Sequence, residues 1–439
     1  MRGYFSYRYL IIFGIVIRLM LVPFFAHPFD MFAWYSYVDS VLNDGVFLSA
    51  IGFPPIWQFL LIPVAYLYGW LSNILDISVI QISSLPPNFD PSYGITVVTD
   101  PLFNTLVKIP LIVADLISAF LIYRIAYRFS GDISISQHSA VFYFLSPIVI
   151  WISAAWGQYD SLAVLFTLLS FYFLLVTKRF FLSSVSLYIA FLIKVYPIIF
   201  LVPIIALILK FETAKRWKLF SYLVFLIPIS LYPVIVHGIG TFSFFETLVF
   251  PSNFLFTSGY GLTYWSISLI MQTDIAWSRL LMYILTTVFI LLSSYYVFKR
   301  ADKSFNIIIH GSFLLISSLF LSLTIVLEQR VLIMMALLSL VMIYHPSLRK
   351  YVLSLSFLAF LFAQKNFPFY LLPLASRYPD MFSFLFSSVS SFINRTPVFI
   401  APSFSSGLIL FTIGTTFSAV LIIIIWKIFF DNYTKRWSR

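Results

Sequence analysis

Apolar segments bounded by clusters of Lys and Arg recur along the chain, and this pattern constrains the fold more than any other feature. Apolar residues make up 61% of the sequence and charged residues 10%, whereas soluble domains average roughly 45–50% and 25%. An excess of this size cannot be hidden in a water-soluble core, so we predict a polytopic integral membrane protein surrounded by membrane lipids. The net charge of +11 fits cationic cytoplasmic loops, and no nucleic-acid partner is expected.

The Lys and Arg clusters also indicate the topology, because cytoplasmic loops of membrane proteins are enriched in these residues. The first apolar segment is predicted to be a retained span, since Arg18 interrupts it and no signal-peptide cleavage site follows. Reversal of the chain between successive clusters predicts about 12 transmembrane helices with both termini cytoplasmic. Several are shorter than the ~20 residues that a span needs. The predicted spans are 8–25, 106–124, 139–153, 161–177, 180–193, 195–209, 218–236, 279–298, 305–326, 331–344, 351–363 and 405–426.

The sequence is expected to form one integral membrane domain, residues 1–439, because no linker or internal repeat divides it. The predicted fold class is an all-α polytopic membrane protein. It comprises a first external loop at 26–105, a helical core at 106–345 and C-terminal helices at 346–439. Two further external loops are predicted at about 237–278 and 364–403, where Lys and Arg are sparse.

The first external loop contains several Asp residues but neither Lys nor Arg. Residues 54–72 are apolar enough to cross the membrane, but crossing would place Arg124 and Arg128 outside, against the distribution of positive charge. This segment is therefore predicted to be a helix that lies on the membrane or dips into it. Residues 31–43 have the apolar spacing of an amphipathic helix, which is predicted to lie at the membrane interface.

Ionisable residues within or beside membrane spans are costly, so each is a candidate for function. Asp30 follows the first span and is either the N-cap of the amphipathic helix or a general base. Asp160 is either the N-cap of the fourth span or a substrate contact. Asp100 precedes Pro101 and has the plainest capping signature. The residues predicted to line a substrate cavity are Trp156, Gln158, Tyr159, Asp160, Asp100 and Glu328.

Cationic residues near the predicted external side form a second group of candidates. Lys194 is the lone cation between two short apolar half-spans, and it is either a snorkelling side chain or a ligand for phosphate. Glu328 and Arg330 flank the external end of another span, and Arg330 is a second candidate for phosphate binding. A buried structural ion network is predicted for Arg18, Lys108 and Asp115.

The order of these residues resembles that of the GT-C superfamily, membrane glycosyltransferases that take a sugar from a polyprenyl-phosphate donor. The likeness extends over roughly residues 8–345. The run at 156–160 is similar to Trp-Gly-Gln-x-Asp of prokaryotic relatives of the second GPI mannosyltransferase. It is also similar to Gln-Tyr-Asn of the glucosyltransferases that extend lipid-linked oligosaccharide. The other similar stretches are Asp30–Trp34 with Gly45, Phe53–Trp57, Lys108–Pro110 with Asp115, and Lys194–Pro203.

What the resemblance implies is a GT-C type helix bundle that transfers a hexose, with mannose favoured and glucose possible. The donor would be a polyprenyl-phosphate sugar, such as a dolichyl-phosphate sugar, and the acceptor a lipid-linked glycan on the external or lumenal face. Asp30 would be the general base. Lys194 would bind the donor phosphate. Relatives carry His-Glu-Arg or His-Glu-Lys where this chain has Leu327-Glu328-Gln329-Arg330, so the His is absent and its role would fall to Arg330, the second candidate.

No metal or other cofactor is expected, since a leaving group with one phosphate has less need of a divalent cation. The resemblance places the enzyme in the plasma membrane of a prokaryote or the endoplasmic reticulum of a eukaryote. A polytopic transporter or lipid flippase is the alternative from another functional class. Transporters often contain inverted repeats with broken helices in both halves, and this sequence shows none.

Overall fold

A computed structural model describes most of the chain. The described residues are 2–45, 55–75, 82–84, 96–194, 196–213, 215–224, 304–322, 328–364, 370–378 and 404–437, with the single positions 284, 288, 291, 295 and 381. The predicted external loop at 237–278 lies outside these residues. So do most of the predicted spans 218–236 and 279–298, and most of the predicted loop at 364–403.

Several helices are long and apolar enough to cross a bilayer. Within the described residues these are 101–130, 160–177 and 411–428. A fourth is added if two helices bent by 48°, at 133–144 and 147–156, count as one span. The chain is therefore an integral membrane protein, whereas the count of 12 spans and the cytoplasmic placement of both termini stay predictions.

The part of the chain before residue 131 contains helices and a small antiparallel sheet. The elements are α1 (Arg2–Leu21), α2 (Pro28–Asp44), α3 (Pro55–Ile74), β1 (Ile82–Ser84), β2 (Thr96–Val98) and α4 (Pro101–Ser130). In the sheet, Ile82 pairs with Val98 and Ser84 with Thr96. The prediction of an all-α chain misses this sheet, because strands of three residues carry too little apolar alternation to be recognised.

The two helices of the first loop cover each other. The face of α2 formed by Met31, Trp34, Val38 and Val41 is buried, and α2 packs on α3 and β2. The spacing of these residues is that of one helix face, as the amphipathic pattern indicates. The apolar face of α2, which was predicted to lie at the membrane interface, is therefore covered by other parts of the protein.

Broken helices follow α4. They are α5 (Ile133–Phe144), α6 (Pro147–Ile150) with a π-helical turn (Trp151–Trp156), α7 (Asp160–Tyr172) with a π-helical turn (Phe173–Thr177), α8 (Phe180–Ile193), α9 (Leu201–Phe211) and α10 (Lys215–Leu223). A 3₁₀ turn at Tyr196–Phe200 precedes α9. Lys194 has extended backbone angles, φ −146° and ψ 144°, so the apolar run at 180–209 is interrupted where the lone Lys predicts a break.

The remaining described helices complete the bundle. They are α11 (Gly311–Ser322), α12 (Val331–Val341), α13 (Arg349–Ala363), α14 (Leu372–Arg377) and α15 (Phe404–Trp437). A π-helical turn at Asn306–His310 leads into α11, and a 3₁₀ turn at Glu328–Arg330 leads into α12. Every residue of α12 is buried, and the helix packs against α4, α5, α7 and α11. This helix therefore forms the centre of the bundle.

A buried ion pair joins the first helix to the fourth. The Arg18 guanidinium lies 3.1 Å from the Asp115 carboxylate, and both side chains are fully buried. Arg18 also donates to the backbone oxygen of Phe144 at 2.9 Å. Lys108 does not share this pair, which corrects the predicted three-residue network. Its ammonium donates instead to the backbone oxygens of Val22, Phe25 and Ala155.

Lys108 bonds to carbonyls because it lies about two helical turns from Asp115 along α4, too far for its side chain to meet the carboxylate. The carbonyls belong to the end of α1, to the chain that leads to Asp30, and to the π-helical turn before Trp156. The carbonyl end of a helix carries partial negative charge, which favours a cation. Lys108 thereby connects the two segments that bear candidate site residues.

Candidate active site

The segment 156–160 connects α6 to α7 and forms the floor of the candidate site. Gly157 has a φ of +87°, in the left-handed region that favours glycine. A Cβ at this position would also lie 2.9 Å from Cε of Lys108. The turn therefore requires glycine, and the side chains on either side of it, Trp156 and Gln158, both reach Asp30 of α2.

Asp30 is held by two side chains of this segment. Its Oδ2 accepts hydrogen bonds from Nε1 of Trp156 at 2.6 Å and from Nε2 of Gln158 at 2.7 Å. Its Oδ1 accepts none from the described residues, and 29% of the side chain is exposed. Asp30 is not the N-cap of α2, because the cap position is His27 and Asp30 lies in the first turn. The carboxylate is thus oriented by two donors to one oxygen, and the other oxygen accepts no hydrogen bond from the described residues.

A cluster of aromatic side chains lies beside the Asp30 carboxylate. His27 stacks on Trp156 with ring centroids 5.0 Å apart, and its Nδ1 lies 3.3 Å from Oδ2 of Asp30. Tyr370 lies against both rings. The sequence pattern did not identify His27 or Tyr370 as site residues. Tyr370 lies in a predicted loop with no motif, so only the fold brings it to the site.

Asp160 and Lys194 form an ion pair at the other end of the segment. Nζ of Lys194 lies 3.1 Å from Oδ2 of Asp160, which is fully buried, while 23% of the Lys side chain is exposed. The same ammonium lies 4.3 Å from the centre of the Tyr159 ring, a cation–π contact. Asp160 is not a capping residue, because α7 begins with it and Tyr159 occupies the cap position.

A second cation and a phenol lie near this ion pair. Arg330 interacts electrostatically with Asp160, Lys194 and Tyr196. The hydroxyl of Tyr196 is buried and has no hydrogen-bond partner among the described residues. The side chain of Glu328 lies outside the described residues. Two cations and one carboxylate leave an excess positive charge here, which suits a bound anion.

Asp100 has a structural position that differs from the predicted cavity lining. Oδ1 accepts from the backbone N–H groups of Leu102 at 2.8 Å and Phe103 at 3.3 Å, which makes Asp100 the N-cap of α4. Oδ2 accepts from the Tyr68 hydroxyl at 2.6 Å. Burial and this hydrogen bond raise the pKa of Tyr68, so the phenol remains a donor. Both oxygens of Asp100 are engaged within the protein, and we assign it to capping.

Two tryptophans extend the aromatic surface beyond Tyr159. Trp57 stacks on the Tyr159 ring with centroids 5.6 Å apart, and Trp34 meets Trp57 edge to face at 5.3 Å. Both residues lie in stretches that resemble the family, and neither was predicted to line the site. Their contact arises because α2 packs on α3 beside the 156–160 segment, which no single stretch of sequence indicates.

The segment 156–160 therefore brings the main candidates together. Trp156 and Gln158 hold Asp30, Asp160 holds Lys194, and the Tyr159 ring lies between the two groups. A carboxylate with a free oxygen and a cationic patch thus share one side of the bundle. In the described residues, no three His, Asp or Glu side chains lie close enough to hold a metal ion. The absence of metal from the reaction stays a prediction.

Comparisons with known proteins place little constraint on this chain. No protein-family model and no curated protein matches the sequence. Among solved structures, it is similar to the crystal structure of ArnT from Cupriavidus metallidurans bound to undecaprenyl phosphate. The identity is 9%, the TM-score is 0.43, and the likeness covers 94% of this chain and 77% of that one. A likeness at this level does not establish a shared fold, and the case for a function rests on the residues of this chain.

Proposed function

We propose that the protein is a membrane glycosyltransferase that transfers a hexose from a polyprenyl-phosphate sugar to a lipid-linked glycan. Mannose is the favoured sugar and glucose the alternative. The observation that carries the proposal is the attachment of Asp30 and Lys194 to one short segment, with the aromatic ring of Tyr159 between them. A base and a phosphate ligand must flank the same anomeric carbon in this reaction, and the contacts of both residues with one segment support that assignment.

Asp30 has the chemistry of the base. In the reaction, the acceptor hydroxyl attacks the anomeric carbon, its proton passes to a carboxylate, and the bond from that carbon to the phosphate oxygen breaks. Oδ2 of Asp30 is fixed by Trp156 and Gln158, so Oδ1, which accepts no hydrogen bond from the described residues, can receive the proton. General-base catalysis of this kind contributes typically ~10²- to 10⁴-fold to a rate.

The cationic patch has the chemistry of the leaving-group site. The phosphate gains negative charge as the sugar leaves, and a fixed cation in a water-poor site stabilises that charge more than water does. Lys194 and Arg330 supply two positive charges, which Asp160 partly balances. The buried Tyr196 hydroxyl adds a donor that no described residue uses. A lipid monophosphate fits this combination.

The position of the site along α4 supports chemistry on the external face. Lys108, which contacts Ala155 beside the site, lies about 12 Å from the Asp100 end of α4, at 1.5 Å per residue. The opposite end of this 30-residue helix carries Arg124 and Arg128. Positive charge marks the cytoplasmic side, so the site belongs to the opposite, external side.

Transfer by the purified full-length protein tests the proposal. Short-chain polyprenyl-phosphate mannose and glucose serve as donors, with lipid-linked glycans as acceptors. We expect transfer from one donor, and we expect Asp30→Asn to lower turnover by at least ~10²-fold while donor binding is kept. The Asn side chain keeps the shape of the carboxyl group but cannot take the proton.

Asp39→Asn is the matched control, because Asp39 lies on the same helix and its carboxylate accepts a hydrogen bond from the Asn43 amide rather than from the segment 156–160. It should leave turnover within about twofold, since general-base catalysis is not removed. Turnover by Asp30→Asn within a few-fold of the unmodified protein would exclude Asp30 as the base. Failure of the unmodified protein to transfer either sugar would count against the proposed function itself.

A further inference from the structure

Two buried indole N–H groups without partners among the described residues belong to rings packed against Tyr159, and a third such atom belongs to the neighbouring residue Gln158. The indole N–H groups of Trp34 and Trp57 and the amide oxygen of Gln158 are buried and have no hydrogen-bond partner among the described residues. Both indoles have no exposed surface. Buried side-chain polar atoms in native structures are nearly all hydrogen-bonded, so three exceptions in one cluster require an explanation.

Packing alone does not explain them. A Phe at position 34 or 57 would supply a ring for the contacts with Tyr159 without burying an N–H group. The two indoles donate and the amide oxygen accepts, so the cluster offers both halves of a hydrogen-bonding pattern. A ring bearing several hydroxyl groups matches it, because each hydroxyl can both donate and accept. Such a ring is the defining part of a sugar.

The cluster is close to the cationic patch on one side and to Asp30 on the other. Lys194 lies 4.3 Å from the centre of the Tyr159 ring, whose centroid is 5.6 Å from that of Trp57 and 6.4 Å from that of Trp34. Gln158 donates its amide N–H to Asp30 while its amide oxygen has no partner among the described residues. The Tyr159 ring therefore contacts both the proposed phosphate ligand and the two indoles.

We infer that Trp34, Trp57 and Gln158 form a subsite that recognises the hydroxyl groups of the donor sugar. The inference rests on the proposed function, since the sugar attached to the phosphate is the one that reaches these atoms. The donor sugar is favoured over the acceptor because the aromatic surface continues from Lys194, the proposed phosphate ligand. The subsite, together with the cationic patch, selects which hexose is transferred.

Monodeoxy donors, each lacking one ring hydroxyl, test the inference on the unmodified protein. At least one of them should be used ~10-fold less efficiently than the parent donor, as kcat/KM, because its partner in the protein is left unpaired. Discrimination below about twofold for every monodeoxy donor would overturn the inference. Discrimination that appeared only among monodeoxy acceptors would also overturn the inference. Either result would leave the proposed function intact, because only the absence of transfer counts against that function.

The variants Trp34→Phe and Trp57→Phe locate the recognition. One of them should reduce the discrimination against that monodeoxy donor to about twofold, because its N–H no longer distinguishes the hydroxyl. A cavity left by the smaller ring would slow both donors alike and would leave the discrimination unchanged. Unchanged discrimination in both variants would overturn the assignment. Trp70→Phe, at an indole on α3 that is 60% exposed, is the matched control.

Discussion

At the scale of single residues, the candidate site depends on how charged groups are paired. Lys194 is paired with Asp160, which has no exposed surface, so a purely structural role for this Lys is a direct competitor to phosphate binding. Removing one partner of a buried ion pair leaves an uncompensated charge, which is strongly destabilising. A single substitution therefore cannot separate the two roles, but a pair of substitutions can.

The prediction for this pair is that stability and turnover respond differently. Lys194→Met should lower both, with a loss of transition-state stabilisation of ~2.7–4 kcal/mol, the size seen when one strong donor is removed. Adding Asp160→Asn should recover part of the melting temperature, because the Asp160 carboxylate is no longer buried without Lys194, whereas Arg330 loses its acidic neighbour. Turnover should stay low, because the phosphate has still lost its cation. Recovery of turnover in the double variant, measured with saturating donor, would show that Lys194 only neutralises Asp160.

At the scale of elements, buried polar contacts fix how the helices meet. The Arg18–Asp115 pair joins α1 to α4, and Arg18 reaches across to the end of α5 at Phe144. Asp115 also accepts a hydrogen bond from the Tyr143 hydroxyl, at 3.4 Å. These helices lead directly into the segments that carry Asp30 and Trp156, so the pair acts on the site through their packing.

Arg18→Met should lower stability by about 3–5 kcal/mol, because it leaves the Asp115 carboxylate buried without its counter-ion. The double variant Arg18→Met/Asp115→Leu should recover part of that loss, since an apolar pair of similar volume removes the buried charge. Thermal unfolding in detergent measures both changes. Arg128→Met is the control, because Arg128 is exposed near the end of α4, the helix that carries Asp115. Equal stability of Arg18→Met and the control would show that the pair contributes nothing.

Sequence patterns predict helices well here and contacts between helices poorly. The apolar run at 180–209 and its lone Lys predict both half-helices and the break between them, because an isolated cation is costly inside a span. The amphipathic spacing of α2 identifies its buried face. The contact of Trp57 with Tyr159 and the position of Tyr370 depend on packing between distant segments, which local periodicity does not encode.

At the scale of the whole molecule, α4 predicts the orientation of the protein in the membrane. Its 30 residues span about 45 Å, more than the ~30 Å of the hydrocarbon core, so we expect its two ends to lie on opposite sides. Asp100 and Pro101 begin the helix, and Arg124 and Arg128 lie near its other end. Large apolar side chains exposed on α1 and α15, among them Phe13, Met20 and Trp426, provide surface for lipid.

This orientation predicts which positions a membrane-impermeant thiol reagent reaches. The chain contains no Cys, so each introduced Cys is the single thiol in its variant. In intact cells or sealed vesicles of known orientation, Asp76→Cys and Asp90→Cys should be labelled from the external side, because the first external loop carries no Lys or Arg. Arg128→Cys should be labelled only after permeabilisation. If positions 76 and 90 were labelled only from the cytoplasm, the site beside Lys108 would face the cytoplasm, and transfer on the external face would be excluded.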